Sequence, residues 1–212
     1  DLGMGSSGIG PGEVVEALLG GPDGDTANTA ILWSIRLPMT LTCVFVGGSL
    51  SLAGLQIQTI TNNALASPYT LGITASASFG AAIAITLGLS VAGYLWIGTA
   101  LLALVFALAV SLLIFYLGRL KGMSTSTLIL SGIIMNFFFQ ALQQYLQYRA
   151  SPEIAQIISG WTFGNLQRSS WMSVVVSGCL LVMGAALLSG WSWRLTVLTT
   201  GEERARSLGI NV

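Results

Sequence analysis

"LGITASASFGAAIAITLGLSVAGYLWIGTALLALVFALAVSLLIFYL", residues 71–117, contains no charged side chain. As one helix rising 1.5 Å per residue it would be about 70 Å long, more than twice the hydrocarbon thickness of a bilayer. The chain must turn inside it, and "GLSVAG" (Gly88 to Gly93) holds the turn. Two apolar segments of spanning length then stand back to back, and the class that follows is an all-α, polytopic membrane helical bundle.

Composition agrees. Of the 212 residues 53% are hydrophobic and 8% charged, against about 25% charged in a typical soluble domain, and the mean hydropathy is +0.79. Eight basic and eight acidic residues cancel, so there is no basic footprint for nucleic acid. With no His and a single Lys, Lys121, the inventory for acid–base or metal chemistry is thin; no catalytic residue, metal site or cofactor is expected. Cys43 and Cys179 each sit in an apolar run and read as small hydrophobes. The chain opens at Asp1 without Met and with a polar, Gly-rich, acidic stretch, which reads as a fragment whose true N-terminus is missing.

Five stretches are long and apolar enough to span: roughly 37–61, 69–89, 92–118, 126–148 and 170–193. The predicted organisation is an extracytoplasmic segment with a short helix over 1–35, a transmembrane bundle over 36–193, and a cytoplasmic region over 194–212. Orientation comes from the basic residues: Arg119, Lys121, Arg194, Arg204 and Arg206 group on one side, against Arg36, Arg149 and Arg168 on the other. The tail is therefore cytoplasmic.

Three features stand out within this frame. Gly47, Ser51 and Gly54 are spaced to let another helix approach closely, within the chain or from a second copy. The fourth span reads "SGIIMNFFFQALQQYLQY" (residues 131–148). At about 100° per residue Asn136, Gln140, Gln143 and Gln147 fall within about 60° of one another. Uncharged amides in hydrocarbon must be satisfied, so the stripe faces protein or water: it either glues two helices or lines a polar path for a solute. The first span shows a weaker polar face in Ser49, Gln56, Thr59 and Asn63, of which Gln56 joins the path candidates. Third, "SPEIAQIISG" (residues 151–160) has Ser151 as N-cap, Pro152 at the first helical position, Glu153 in the first turn and Gly160 near the stop. That helix is too short to span and belongs at the outer surface, where Trp161, Phe163 and Trp171 suit the aromatic belt.

The tail "TTGEERARSLGINV" (residues 199–212) holds Glu202, Glu203, Arg204 and Arg206. Thr200 with Glu203 makes a capping box and Gly209 suits the position just past the helix end, so a short cytoplasmic helix is predicted. By local physics it is a solvated connector or a surface offered to a partner.

Together "RLPMTL" (36–41), "GGSLSLAGLQIQTITNNALASPYTLGI" (47–73), "GMSTSTLILSG" (122–132), "SPEIAQIISGWTFGNL" (151–166) and "GEERARSLGI" (201–210) resemble, in order and spacing, the FecCD family, the permease subunits of type II ABC importers that carry iron siderophores, haem and cobalamin. The resemblance implies a ten-helix permease of which this chain holds about five spans, lacking the first helix and all that follows the coupling helix, and so not transporting as it stands. It implies that Gly201, Glu202, Glu203, Arg204, Arg206 and Gly209 form the coupling helix that seats in a cytoplasmic ABC ATPase dimer. Ser124, Thr125 and Ser126 become gate candidates. Arg36 becomes the docking residue for an extracytoplasmic substrate-binding protein, with Met39 where the family has a second arginine, and Ala64 replaces a family proline. A second permease subunit, identical or not, the lipid bilayer of the inner membrane and a metal chelate complete the implied setting. The chain has no G-x-x-x-x-G-K-[ST], so ATP hydrolysis would come from a separate subunit. The rivals are an ion-gradient-driven transporter, against which stands the lack of Asp, Glu and His in the five spans, and a non-transporting membrane scaffold.

Overall fold

The computed structural model describes residues 10–22, 27–120, 124–198 and 207, with the side chains of Thr125, Arg194, Leu195 and Leu198 outside that description. In chain order the helices are α1 (Pro11–Gly20), α2 (Ala27–Ile31), a π-helical turn (Leu32–Arg36), α3 (Leu37–Thr61), α4 (Ile73–Thr86), α5 (Leu95–Leu120), α6 (Thr125–Arg149), α7 (Pro152–Phe163), a 3-10 turn (Leu166–Arg168), α8 (Trp171–Ser189) and α9 (Ser192–Leu198). They form two compact units, one of residues 1–52 with 165–192 and one of residues 53–164 with 193–212.

In the first unit α1 is the short helix expected before the first span. Its start is fixed by Pro11, which has no N–H to leave bare, and by Gly10 N–H donating to Glu13 Oε2 at 2.9 Å. Val14 and Ala17 pack on Leu32, which is fully buried. Two indoles tie the unit together: Trp33 Nε1 donates to the Ala17 carbonyl at 3.0 Å, and Trp171 Nε1 donates to the Trp33 carbonyl at 3.1 Å.

The boundary expected at residues 35/36 falls inside a continuous helical run from Ala27 to Thr61. Its π-helical turn has a local cause. Pro38 lacks an N–H and its ring crowds the carbonyl four residues back, so the ladder widens just before it and Leu37 N–H bonds Leu32 O instead. Close packing of α3 on α8 uses Gly48 and Gly178. A Cβ on Gly48 would lie 3.2 Å from Leu181, and one on Gly178 would lie 3.1 Å from the Phe45 ring. A Cβ on Gly47 or Gly54 would meet no described atom within 4 Å. Within the chain the close approach to α8 is thus made by Gly48, about 100° round the helix from Gly47.

The second unit is built around α4. Among the described residues four helical runs are long and apolar enough to cross a bilayer: Ala27–Thr61, Leu95–Leu120, Ser126–Arg149 and Trp171–Ser189. The stretch expected to span over 69–89 folds differently, because α4 has 14 residues and is about 21 Å long, short of the roughly 30 Å of a bilayer core. The shortfall is made up by the irregular segment 62–72. Leu71 and Gly72 lie against Gly132 and Asn136 near the middle of α6, and Ala82 and Ile85 at the far end of α4 share a cluster with Leu146, Ile154 and Ile158. The broken crossing therefore runs parallel to α6, irregular for its first half and helical for its second.

Small residues make this possible. Along α4 Ala75, Ser76, Ser78, Gly80, Ala81, Ala82 and Ala84 are buried. A Cβ on Gly80 would lie 2.6 Å from Leu102 O, one on Gly132 2.6 Å from Leu71 Cα, and one on Gly98 2.0 Å from Leu89 O. Phe79, Phe106 and Phe139 fill the space beside the close approach with ring centroids 5.4 to 6.2 Å apart. The turn expected at residues 88–93 is present, with Gly88 and Gly93 at positive φ and Val91 and Tyr94 exchanging backbone hydrogen bonds.

These contacts separate two kinds of glycine. Gly98→Ala drives a methyl into the 87–94 turn and is expected to cost about 1–3 kcal/mol as overpacking. Gly160, where a helix stop was expected, lies inside α7 with nothing within 4 Å, so Gly160→Ala is expected to gain about 0.5–1 kcal/mol. Denaturation of the protein in detergent micelles reads both. Loss at Gly160 comparable to that at Gly98 would contradict the assignment.

Candidate functional site

Asn136, Gln140, Gln143 and Gln147 occupy one face of α6, as their spacing requires, and each is engaged. Asn136, 9% exposed, donates from Nδ2 to the Tyr69 carbonyl at 2.9 Å. Gln140 Nε2 donates to Asn136 Oδ1. Gln143, 7% exposed, donates to Thr162 Oγ1 at 2.8 Å, and Gln147 donates to Ser159 Oγ at 3.1 Å. Both hydroxyls pass a bond onward, Thr162 to the Ile158 carbonyl and Ser159 to the Ala155 carbonyl. Four residues apart on α6 meets three apart on α7, so the two helices run antiparallel and α7 is buttoned along the stripe. Ile158, 1% exposed, seals the same contact from the apolar side.

The partners that sequence reasoning missed are Tyr69, Ser159 and Thr162. Ser159 and Thr162 carried a faint signal, two hydroxyls three apart on an otherwise apolar helix. Tyr69 carried none, because it contributes a carbonyl.

Gluing does not exhaust the stripe. A cavity of about 410 Å³ opens beside it, lined by Tyr69, Thr74, Ser78, Gln140, Gln143, Gln144, Gln147, Ser159 and Thr162 with Ala75 and Phe163. Its polar groups are neutral amides and hydroxyls, which can accept and donate to a passing solute and impose no charge. A second cavity of about 520 Å³ lies toward the start of α6, lined by Asn63, Leu65, Ala66, Tyr69, Thr70, Ile129, Ile133, Asn136, Phe137 and Gln140. The amide row thus ties α7 to α6 and borders a cavity as well.

α7 begins as expected, with Ser151 Oγ accepting from Ile154 N–H at 3.4 Å and Pro152 in the first turn. It ends at Gly164, φ +75°, rather than at Gly160. The hydrogen bonds of Glu153 to its own backbone N–H, and then to Ser151, lower its carboxyl pKa. The carboxylate form is favoured in the fold, so this small support for the helix start is present near neutral pH and is lost as pH falls through the lowered value.

The remaining expected residues are placed as follows. Gln56 touches neither cavity, and its Oε1 is buried without a partner among the described residues. Two members of the weaker polar face on α3 are spent within the helix, Ser49 on the Phe45 carbonyl and Thr59 on the Leu55 carbonyl. Ser124 caps α6, accepting from Thr127 N–H at 3.2 Å, and Ser126 is exposed one turn in; Thr125 opens α6, and its side chain lies outside the described residues. Arg36 is 7% exposed. It closes the widened turn before Pro38. Gly201, Glu202, Glu203, Arg204, Arg206 and Gly209 lie outside the described residues. Among the described residues no cluster of His, Cys, Asp or Glu could hold a metal ion.

Known proteins match this chain over nearly its whole length. The model of the FecCD transport family matches residues 1–212. An iron chelatin transport system permease of Helicobacter pylori is 34% identical over 181 residues, covering 85% of this chain and 53% of that protein. The molybdate import system permease MolB of Haemophilus influenzae is 30% identical over 194 residues, covering 89% and 55%. A solved metal-chelate type ABC transporter in an inward-facing conformation superposes with a TM-score of 0.76 at 29% identity, covering 93% of this chain and 64% of that one. The chain spans about half the length of the curated relatives it matches. With its spanning helices, its broken second crossing and a family match from end to end, the chain belongs to the FecCD transport family of multi-pass membrane permeases.

Proposed function

We propose that the protein acts as the membrane permease of an ATP-driven importer, carrying a metal chelate of the iron-siderophore, haem or cobalamin class across the inner membrane into the cytoplasm. The observation that carries this reading is the neutral path. Residues 37–61, 73–86, 95–118, 125–148 and 171–189 contain no charged residue and no His, yet α6 presents a row of amides beside a cavity of about 410 Å³. A gradient-driven carrier needs a titratable or ion-binding handle in the membrane. The described path offers no titratable group for a proton, which favours a drive supplied from elsewhere. A drive by an ATPase subunit is the reading that membership of this permease family favours.

The expected assembly is a permease dimer, of like or unlike subunits, with an ATPase dimer below and a substrate-binding protein above. The relatives differ in cargo by name, so specificity is expected to reside largely in the binding protein. Ser124, Thr125 and Ser126 at the cytoplasmic end of α6 are the proposed gate. Gly201, Glu202, Glu203, Arg204, Arg206 and Gly209 form the proposed coupling helix, whose charges of both signs match a polar cleft better than lipid. The permease makes and breaks no covalent bond.

Two measurements test this. With Cys at Glu202 or Arg206 and a second Cys scanned over the ATPase, nucleotide is expected to change a specific cross-link in membranes. A fully assembled complex in which no site cross-links would leave residues 199–212 as a solvated connector. Independently, Gln143→Leu removes the bond to Thr162 and places a bulky apolar group in the cavity. Backbone exchange in α7 is expected to quicken about five-fold, as for one lost hydrogen bond of about 1 kcal/mol, with uptake lost as well. Unchanged exchange and full uptake would point to a scaffold.

A further inference from the structure

The two cavities beside α6 share only Tyr69 and Gln140. Their other walls lie on opposite sides of that pair: Ile129, Ile133 and Phe137 line the one, and Gln143, Gln144 and Gln147 the other. From Ile129 to Gln147 is about 27 Å of helix, so the cavities lie in series along a spanning helix. We propose that Tyr69 and Gln140 form a constriction between two chambers of the translocation path, and that Asn136 is the positioning residue that holds it closed. This deepens the path reading above and rests on it.

The hold is a short chain of hydrogen bonds. Gln140 Nε2 donates to Asn136 Oδ1, and Asn136 Nδ2 donates to the Tyr69 carbonyl at 2.9 Å. Asn136 thereby joins the two sides: it fixes the irregular segment that carries Tyr69, and it fixes the amide that faces Tyr69 across the opening. The same carbonyl accepts from Gly72 N–H at 3.0 Å, so Tyr69 is pinned from within its own turn and from α6. No charge takes part, and a modest conformational push suffices to open it.

The chambers differ in chemistry. The one toward α7 carries Gln143, Gln144, Gln147, Ser159 and Thr162, whereas the one toward the start of α6 sets Asn63, Thr70 and Asn136 among Leu65, Ala66, Ile129, Ile133 and Phe137. At about 30 Å³ per molecule the first has room for roughly a dozen waters. A closed pair between the two chambers keeps small ions from leaking while a bulkier solute waits. The constriction is separate from the proposed gate, since Ser124 and Ser126 line neither chamber.

The test is thiol accessibility in membranes containing the complete transport assembly, with Cys43 and Cys179 replaced by Ser. A single Cys is placed at Gln144 for the chamber toward α7 or at Ile133 for the chamber toward the start of α6, and a membrane-impermeant methanethiosulfonate reagent is added from the extracytoplasmic side. Gln144→Cys is expected to react at least about ten-fold faster than Ile133→Cys, since access governs the rate when the thiols are alike. Adding Tyr69→Ala is expected to bring the two rates within about three-fold, and Asn136→Ala to do the same, while Tyr69→Phe keeps the contrast. If Tyr69→Ala does not fold, Gln140→Ala opens the same constriction from the helix side, where the backbone is unaffected. The proposal is overturned by equal labelling of both sites with Tyr69 in place, by no labelling at Gln144→Cys, or by a contrast that survives all three alanine variants. Labelling reads access and not uptake, so loss of ATP coupling leaves it intact, and loss of the contrast leaves the nucleotide-dependent cross-link intact.

Discussion

A backbone carbonyl or N–H left bare in hydrocarbon costs several kcal/mol, and the second unit exists in its present form because that cost is met at one place. Residues 62–72 are irregular backbone lying against the middle of a spanning helix. Their polar groups are satisfied locally where they can be: Ser67 and Thr70 exchange side-chain and backbone bonds, and Asn63 Oδ1 accepts from Leu65 N–H. The Tyr69 carbonyl is reached from outside the segment by Asn136. Gly132 and Gly72 bring the two backbones close enough for that bond; a side chain at either position would collide with backbone atoms under 3 Å away, and Gly72 also holds φ at +71°.

Once the segment is docked, the rest follows. α4 starts in mid-membrane beside Gly132, so it needs only 14 residues and can be made of Ala, Ser and Gly. Its small surface lets α5, α6 and α7 approach, and the space beside the docked segment is left open as the two cavities. A uniform apolar helix in place of 62–86 would have closed both. The irregular crossing is thus what gives the second unit a polar interior.

Local signals in the sequence were faithful where short-range physics decides. Asn136, Gln140, Gln143 and Gln147 share one face of α6 because 3.6-residue periodicity leaves no alternative, and Ser151–Pro152–Glu153 starts α7 because each residue satisfies or avoids a bare N–H. The turn at 88–93 follows from length alone. What was not legible depends on neighbours. Apolarity over 69–89 says nothing about where a helix begins, and Pro68 with Gly72 delays it until Ile73. Gly160 resembles a stop, yet Gly164 takes the left-handed φ. Gly47 and Gly54 have the right spacing for a close approach, and Gly48 makes it.

The central claim is that transport along this uncharged path is powered from outside the permease. Reconstitution of the permease with its ATPase and binding protein into proteoliposomes tests it most directly, by following chelate uptake with ATP present and with ionophores collapsing every ion gradient. Uptake that requires hydrolysable ATP and is indifferent to ionophores is the expected result. Uptake that persists without ATP and vanishes with the ionophores would contradict the account.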